Sequence, residues 1–298
     1  MASWQTHAVC TYLRATRKKR YRTTEAGLRS MAHGIPAAPL PDELRDRTSV
    51  APLAGGEVVT VRPAAGVGAG TGALVYLHGG AFVNGIQPQH WTLVAHLADT
   101  THRPVHVARY PLAPAHDVTH AETFLAALHG RLAADGPLHV LGDSAGGTLT
   151  LLLAQARAGD GTIAGTTLIA PWLDLSMTNP AADLVEPHDP WLTRAGMRPI
   201  AAHWAAGRDL TDPGVSPLYG DLTRLPPTVV LVGSRDICRP DCDRLVELAP
   251  ATADLSLHVE PGSPHDYPLL PTPEGRRARE AITAHVVRTL SGSGPAGR

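Results

Sequence analysis

The sequence predicts an α/β fold, with a mostly parallel central sheet flanked by helices, and three observations carry that expectation. From about residue 57 onward, short β-rich runs alternate with longer helical stretches. Several of these runs are apolar throughout instead of alternating, the pattern of strands covered on both faces. The length of 298 residues, 43% of them hydrophobic and 18% charged, suffices for one large core.

Taken in order, residues 1–35 read as helical and amphipathic, with Trp4, Val9, Tyr12 and Leu13 on one face. Proline ends this stretch, from Ile35-Pro36 to Pro41. Strands are expected at Val58–Arg62, Leu74–Leu77, Val105–Arg109, Leu138–Leu141, Thr167–Ala170, Thr228–Val232 and Leu255–Val259. Helices are expected at Trp91–Asp99, Val118–Ala134, Ala145–Arg157, Arg194–Ala206, Pro240–Leu248 and Pro273–Leu290. Residues 174–226 break the rhythm, with many prolines and Asp/Asn turn signals around one helix, and read as an insertion. Insertions at the C-terminal edge of such a sheet commonly cover the ligand cleft. The expected division is an N-terminal helical segment over 1–50, a sheet-bearing domain over 51–291 and a disordered tail over 292–298. The Gly-rich turn 66–72 is expected to be mobile. Trp4, Trp91, Trp172, Trp191 and Trp204 are assigned to the core by default.

Composition removes several functions. A net charge of −1 supplies no field for nucleic acid or for an anionic membrane surface. The run Arg17-Lys18-Lys19-Arg20 reads as a solvated helix face. No apolar stretch approaches the ~20 residues of a membrane span, and residues 1–20 lack a signal-peptide h-region. A cytoplasmic protein is expected. Three cysteines, Cys10, Cys238 and Cys242, make no disulfide framework and no recognisable metal-ligand spacing, so free thiols and no metal are expected.

The most informative residues are Gly142-Asp143-Ser144-Ala145-Gly146-Gly147, between an apolar run and a helical one. Strand, tight turn and helix in that order make a nucleophile elbow, in which a strained serine needs glycine two residues to either side. The helix N-terminus adds backbone donors and the positive end of a dipole. A Gly-Asp-Ser-Gly-Gly protease signature is excluded by the intervening alanine and by the βα setting. A second motif, His78-Gly79-Gly80-Ala81-Phe82, also follows a strand run. It supplies the other half of an oxyanion hole, with donors from the N–H groups of Gly80, Ala81 and Ala145. His78 is expected to brace this loop, together with Gly79.

Sixteen histidines compete to be the base. His265 stands out, in the turn-rich loop Pro261–Tyr267 after the last strand, whereas His258 falls in a strand run and His285 in a helix. The chain order of this elbow type is serine, acid, histidine. The acid should leave the preceding strand, and Asp236 does so in Gly233-Ser234-Arg235-Asp236. Asp241 and Asp243 fall in a first helical turn and are better explained as caps.

These segments, with Tyr110-Pro111-Leu112-Ala113-Pro114, Leu225-Pro226-Pro227 and His265-Asp266-Tyr267, resemble the hormone-sensitive-lipase-like family, also called α/β-hydrolase fold-3, over roughly residues 50–290. The resemblance implies an α/β-hydrolase fold with a helical cap, built from the N-terminal helices and the insertion. It implies hydrolysis of short acyl esters by Ser144, Asp236 and His265, with water as second substrate, no cofactor, and a monomer or homodimer. Ala81 stands where the family has a third glycine, which keeps the N–H but adds a methyl group, so bulky tertiary esters should react poorly. The N-terminal portion is similar to actinobacterial acetyl-hydrolases, which brings in N-acetyl amides as alternative substrates. A lactonase or acyltransferase would use the same triad, and a non-catalytic ligand-binding protein would have lost one of its members.

Overall fold

The apolar runs form, with one addition, a single sheet. Its strands are β1 (Thr48–Leu53), β2 (Gly56–Val61), β3 (Ala73–Leu77), β4 (Val105–Arg109), β5 (Leu138–Asp143), β6 (Ile163–Ile169), β7 (Thr228–Gly233) and β8 (Leu255–Glu260). The computed structural model describes residues 2–68 and 71–291. Residues 69–70 of the Gly-rich turn and the tail 292–298 lie outside the described residues. Strand order is β1-β2-β4-β3-β5-β6-β7-β8. β1 and β2 pair antiparallel, β2 pairs antiparallel with β4, and every other pair is parallel. β1 is the addition: an edge strand, largely open to solvent and interrupted by Pro52, it carries no apolar run to announce it.

The helices are α1 (Trp4–Thr16), α2 (Thr24–His33), α3 (Pro88–Thr101), α4 (Val118–Leu132), α5 (Ala145–Ala156), α6 (Ala182–Val185), α7 (Arg194–Trp204), α8 (Arg239–Leu248) and α9 (Pro273–Ser291). Alternate residues of each inner strand serve opposite faces. Leu74 and Tyr76 pack among side chains of α3 and α9, while Val75 and Leu77 pack among those of α4 and α5. Both faces are thereby buried, which is why these strands read as continuous apolar runs.

The N-terminal segment folds as two helices, and its burial differs from the expected pattern. Thr6, Cys10 and Leu13 face inward, whereas Trp4 and Tyr12 are 74% and 56% exposed. Polar anchors decide this orientation. Ser3 N and Oγ donate to the Glu274 carboxylate of α9 at 2.6 and 2.8 Å, and Thr6 Oγ1 donates to it at 2.8 Å. Turning Trp4 inward would leave that buried acid unpaired, a larger cost than exposing one indole. The basic run is also not a simple solvated helix face: it forms a short 3₁₀ turn, and Lys18 Nζ donates to the Asp189 carbonyl.

α2 crosses α7 at contact distance, with glycine on both sides. A Cβ on Gly27 would come within 2.0 Å of the Gly196 carbonyl, so no larger residue fits there. α2 of the N-terminal segment and α7 of the insertion therefore pack directly on each other. No helix among the described residues is long and apolar enough to cross a membrane.

Candidate active site

β5 ends at Asp143 and α5 begins at Ala145, leaving Ser144 between them at φ 52° and ψ −118°. Such a backbone costs of order 1–3 kcal/mol and persists only where its surroundings enforce it. They do so here. Ser144 N donates to Ile169 O at 2.8 Å, and its carbonyl accepts from Gly147 N at 2.9 Å and Trp172 N at 3.1 Å. A Cβ on Gly146 would come within 1.9 Å of Leu77 O, so α5 can start against β3 only with glycine there.

The loop after β3 also runs through left-handed backbone, with φ of 119° at Gly80, 54° at Ala81 and 60° at Phe82. The N–H groups of Gly80, Ala81 and Ala145 meet no protein acceptor among the described residues. His78 Nδ1 donates to the Gly79 carbonyl at 2.7 Å, and the ring stacks on Tyr110 with centroids 4.8 Å apart. The Tyr110 hydroxyl donates to the His78 carbonyl at 2.9 Å. Burial, and then the neighbouring His90, lower the His78 pKa to about 4, so this imidazole is neutral at physiological pH.

Asp236, after β7, and His265, after β8, meet: His265 Nδ1 donates to Asp236 Oδ2 at 2.8 Å, with both side chains buried. Asp236 Oδ1 accepts from Cys238 N at 2.9 Å. The two loops are stitched by Arg235 N to Ser263 O at 3.1 Å and Gly262 N to Ser234 Oγ at 2.7 Å. Ser144 is not joined to this pair. Its Oγ makes no hydrogen bond among the described residues, and His265 Nε2 lies 3.3 Å from Asp266 Oδ2. Catalytic contacts of this kind often tighten only with substrate bound. Asp241 is elsewhere, bonded to Asn179 at 2.9 Å in the first turn of α8.

Four residues around the site were not singled out by the sequence. Asp143, beside the serine, accepts from the Tyr76 hydroxyl and lies 3.3 Å from His90 Nε2. Burial pushes its pKa up, but His90 and the bonds from His90 and Tyr76 outweigh that and hold it low. Asp189, in the insertion, is fully buried and accepts from Trp191 N and Leu192 N at 2.7 and 2.8 Å, and from Ile237 N at 2.9 Å. Trp191 is half-buried, packed against the edge of the core, and stands edge-on to the His265 ring at 5.7 Å. Asp266 follows His265 directly in the chain. Burial drives its carboxyl pKa well above the carboxylate range against the pull of His265, and its Oδ1 has no partner. Burial works to lower the His265 pKa, yet Asp236 and then Asp266 prevail and raise it to about 10.

Asp236, Cys238 and His265 also offer donor atoms within 4.8 Å of one another, a spacing a metal ion could use. The carboxylate and imidazole are already bonded to each other, however, and all three cysteines are buried free thiols.

Comparison with known proteins adds kinship to this geometry. A model of the alpha/beta hydrolase fold matches residues 74–269. A solved esterase from the bacterial hormone-sensitive lipase family superposes with a TM-score of 0.78 at 26% identity, covering 97% of this chain and 99% of that one. The chain belongs to the hormone-sensitive-lipase-like α/β-hydrolase family. Among relatives in this family, an acetyl-hydrolase of Streptomyces hygroscopicus is 33% identical over 267 residues, covering 80% of this chain and 84% of that protein. An esterase of Acinetobacter venetianus is 33% identical over 198 residues, which span 64% of this chain and 65% of the relative, just under two thirds of its length. The structure of EstE5, obtained after soaking with p-nitrophenyl butyrate, has a TM-score of 0.79 at 25% identity, with 97% of this chain and 100% of that one covered. By family this chain is a carboxylic ester hydrolase.

Proposed function

We propose that Ser144, His265 and Asp236 hydrolyse short-chain acyl esters, acetyl esters foremost, through an acyl-enzyme. The observation that carries this reading is the strained serine at φ 52° on a strand–helix turn, with three uncommitted N–H groups in the same two loops. Ser144 Oγ attacks the ester carbonyl while His265 Nε2 takes its proton. The N–H groups of Gly80, Ala81 and Ala145 hold the oxyanion, and losing one such donor typically costs about 10²–10³ in rate. His265 then returns the proton to the departing alcohol. Water, deprotonated by the same imidazole, releases the acid and restores Ser144. Asp236 keeps Nδ1–H in place and stabilises the imidazolium without taking its proton. Residues 1–50 and 174–226 act as the cap over this site, and the three buried thiols fit a reducing cytoplasm. No step calls for a cofactor or metal.

The acetyl-hydrolase relative favours a second reading, in which an N-acetyl amide is the substrate. One panel separates the two: p-nitrophenyl acetate and butyrate against N-acetyl peptides, with wild type and Ser144→Ala. The esters should react faster, and the substitution should remove on the order of 10⁶ in kcat if the triad acts as a unit. Ester turnover by Ser144→Ala at more than a hundredth of the wild-type rate would end this assignment.

A further inference from the structure

The charges of this chain cancel in sum but not in place. Residues 1–33 hold seven Arg and Lys against a single acid, Glu25, a net +6 that leaves −7 on the rest of the chain. The outer face of α1 is an uncovered stripe of Trp4, Ala8, Thr11, Tyr12 and Ala15, spaced at helical intervals and all exposed. The inner face is fully occupied by Thr6, Cys10 and Leu13, so the stripe is not a core face with its partner missing. Arg14, at its edge, and Lys19 and Arg22, just beyond its end, are exposed and form no ion pair among the described residues.

We propose that this surface docks the protein on an anionic phospholipid bilayer. Exposed tryptophan and tyrosine on a helix flanked by cations have the chemistry of the headgroup layer: amphipathic rings seat there, and Arg and Lys meet lipid phosphates. A second copy of the chain fits the stripe poorly, because it would bring one +6 segment against another. The surface also borders the site. Lys18 donates to the carbonyl of Asp189, whose carboxylate holds Trp191 beside His265. Docking there would set the mouth of the site at the layer into which apolar esters partition.

The test is flotation of the full chain with phosphatidylcholine vesicles, with and without phosphatidylglycerol. Wild type should float only with the anionic vesicles, and high salt should release it. Trp4→Ser with Tyr12→Ser should weaken binding. Arg14→Gln, Lys19→Gln and Arg22→Gln together should weaken it about 100-fold, at about fivefold per cation. Both variants should keep wild-type turnover of a soluble p-nitrophenyl ester, which also verifies folding. Failure of wild type to float with anionic vesicles at low salt overturns the proposal, as does flotation that neither variant nor salt alters. If light scattering shows a dimer that Trp4→Ser with Tyr12→Ser dissolves, the stripe belongs to a second copy and the lipid surface is wrong.

Discussion

Asp143 and Asp189 are both fully buried, one in each wall of the site, and they are held in different ways. Asp143, on the sheet side, is bonded by the side chains of Tyr76 and His90, which keep it ionised despite its burial. Asp189, on the insertion side, is bonded by backbone N–H groups alone. Burial, and then the nearby Asp236, raise its pKa to about 6. The sheet wall thus rests on a charge that persists through any ordinary working pH. The insertion wall rests on one that is lost just below neutrality.

The contrast can be broken most forcefully at Asp143. Asp143→Ala strands a buried tyrosine hydroxyl and an imidazole, and should cost about 4 kcal/mol in denaturant unfolding. A loss below 1 kcal/mol would mean that the elbow stands without it. Asp189→Ala should cost less, about 2 kcal/mol for its orphaned N–H groups, and should free Trp191, seen as a red shift of tryptophan emission. The pH dependence of the two penalties sharpens the comparison. Asp189 is protonated more readily folded than unfolded, so its contribution to stability is greatest below the unfolded pKa near 4 and declines as pH rises through about 6. Asp143 has the opposite sign, contributing above the unfolded pKa and losing that contribution as pH falls through its lowered folded value. The Asp189→Ala penalty should therefore shrink from pH 4 to pH 7 while the Asp143→Ala penalty does not. Penalties that move in parallel would refute the distinction.

A smaller effect is expected at the base. In the proposed mechanism His265 must be neutral to accept the serine proton, and Asp266 is one of three carboxyl groups, with Asp236 and Asp189, that raise its pKa. Asp266→Val should move the acid limb of kcat/KM to lower pH, and an unmoved limb would show that Asp266 does not act on the imidazole. The smallest change is expected from Ala81→Gly. It relieves left-handed strain of about 1 kcal/mol and gives back a similar amount in chain entropy, so stability should barely change. Removing the methyl should raise turnover of a tertiary ester relative to a primary one, a ratio a competition assay reads directly.

The two walls also differed in what the sequence disclosed. On the sheet side, short apolar runs located seven of the eight strands, and the elbow glycines pointed to Ser144 because their spacing is a steric demand that leaves a mark in the chain. β1 escaped because an exposed edge strand needs no apolar run. On the insertion side, little could be read. Asp189 sits in Asp189-Pro190-Trp191, which reads as an ordinary turn, and its partner Ile237 lies 48 residues away. Trp4 and Tyr12 have core spacing, but the orientation of α1 was decided by Glu274, an acid on the last helix that no local pattern links to residue 3. Local rules recover what local sterics impose. They miss carboxylates whose donors are distant in the chain.

That shared carboxylate has a consequence for how the molecule comes apart. Its first and last helices are fastened by one acid, whose pKa is held near 2 as the bonds from Ser3 and Thr6 overcome burial. Detaching α1 from the start of α9 must break this latch. Amide protons of α1 and α9 should therefore exchange with solvent as one cooperative unit, at a common opening free energy.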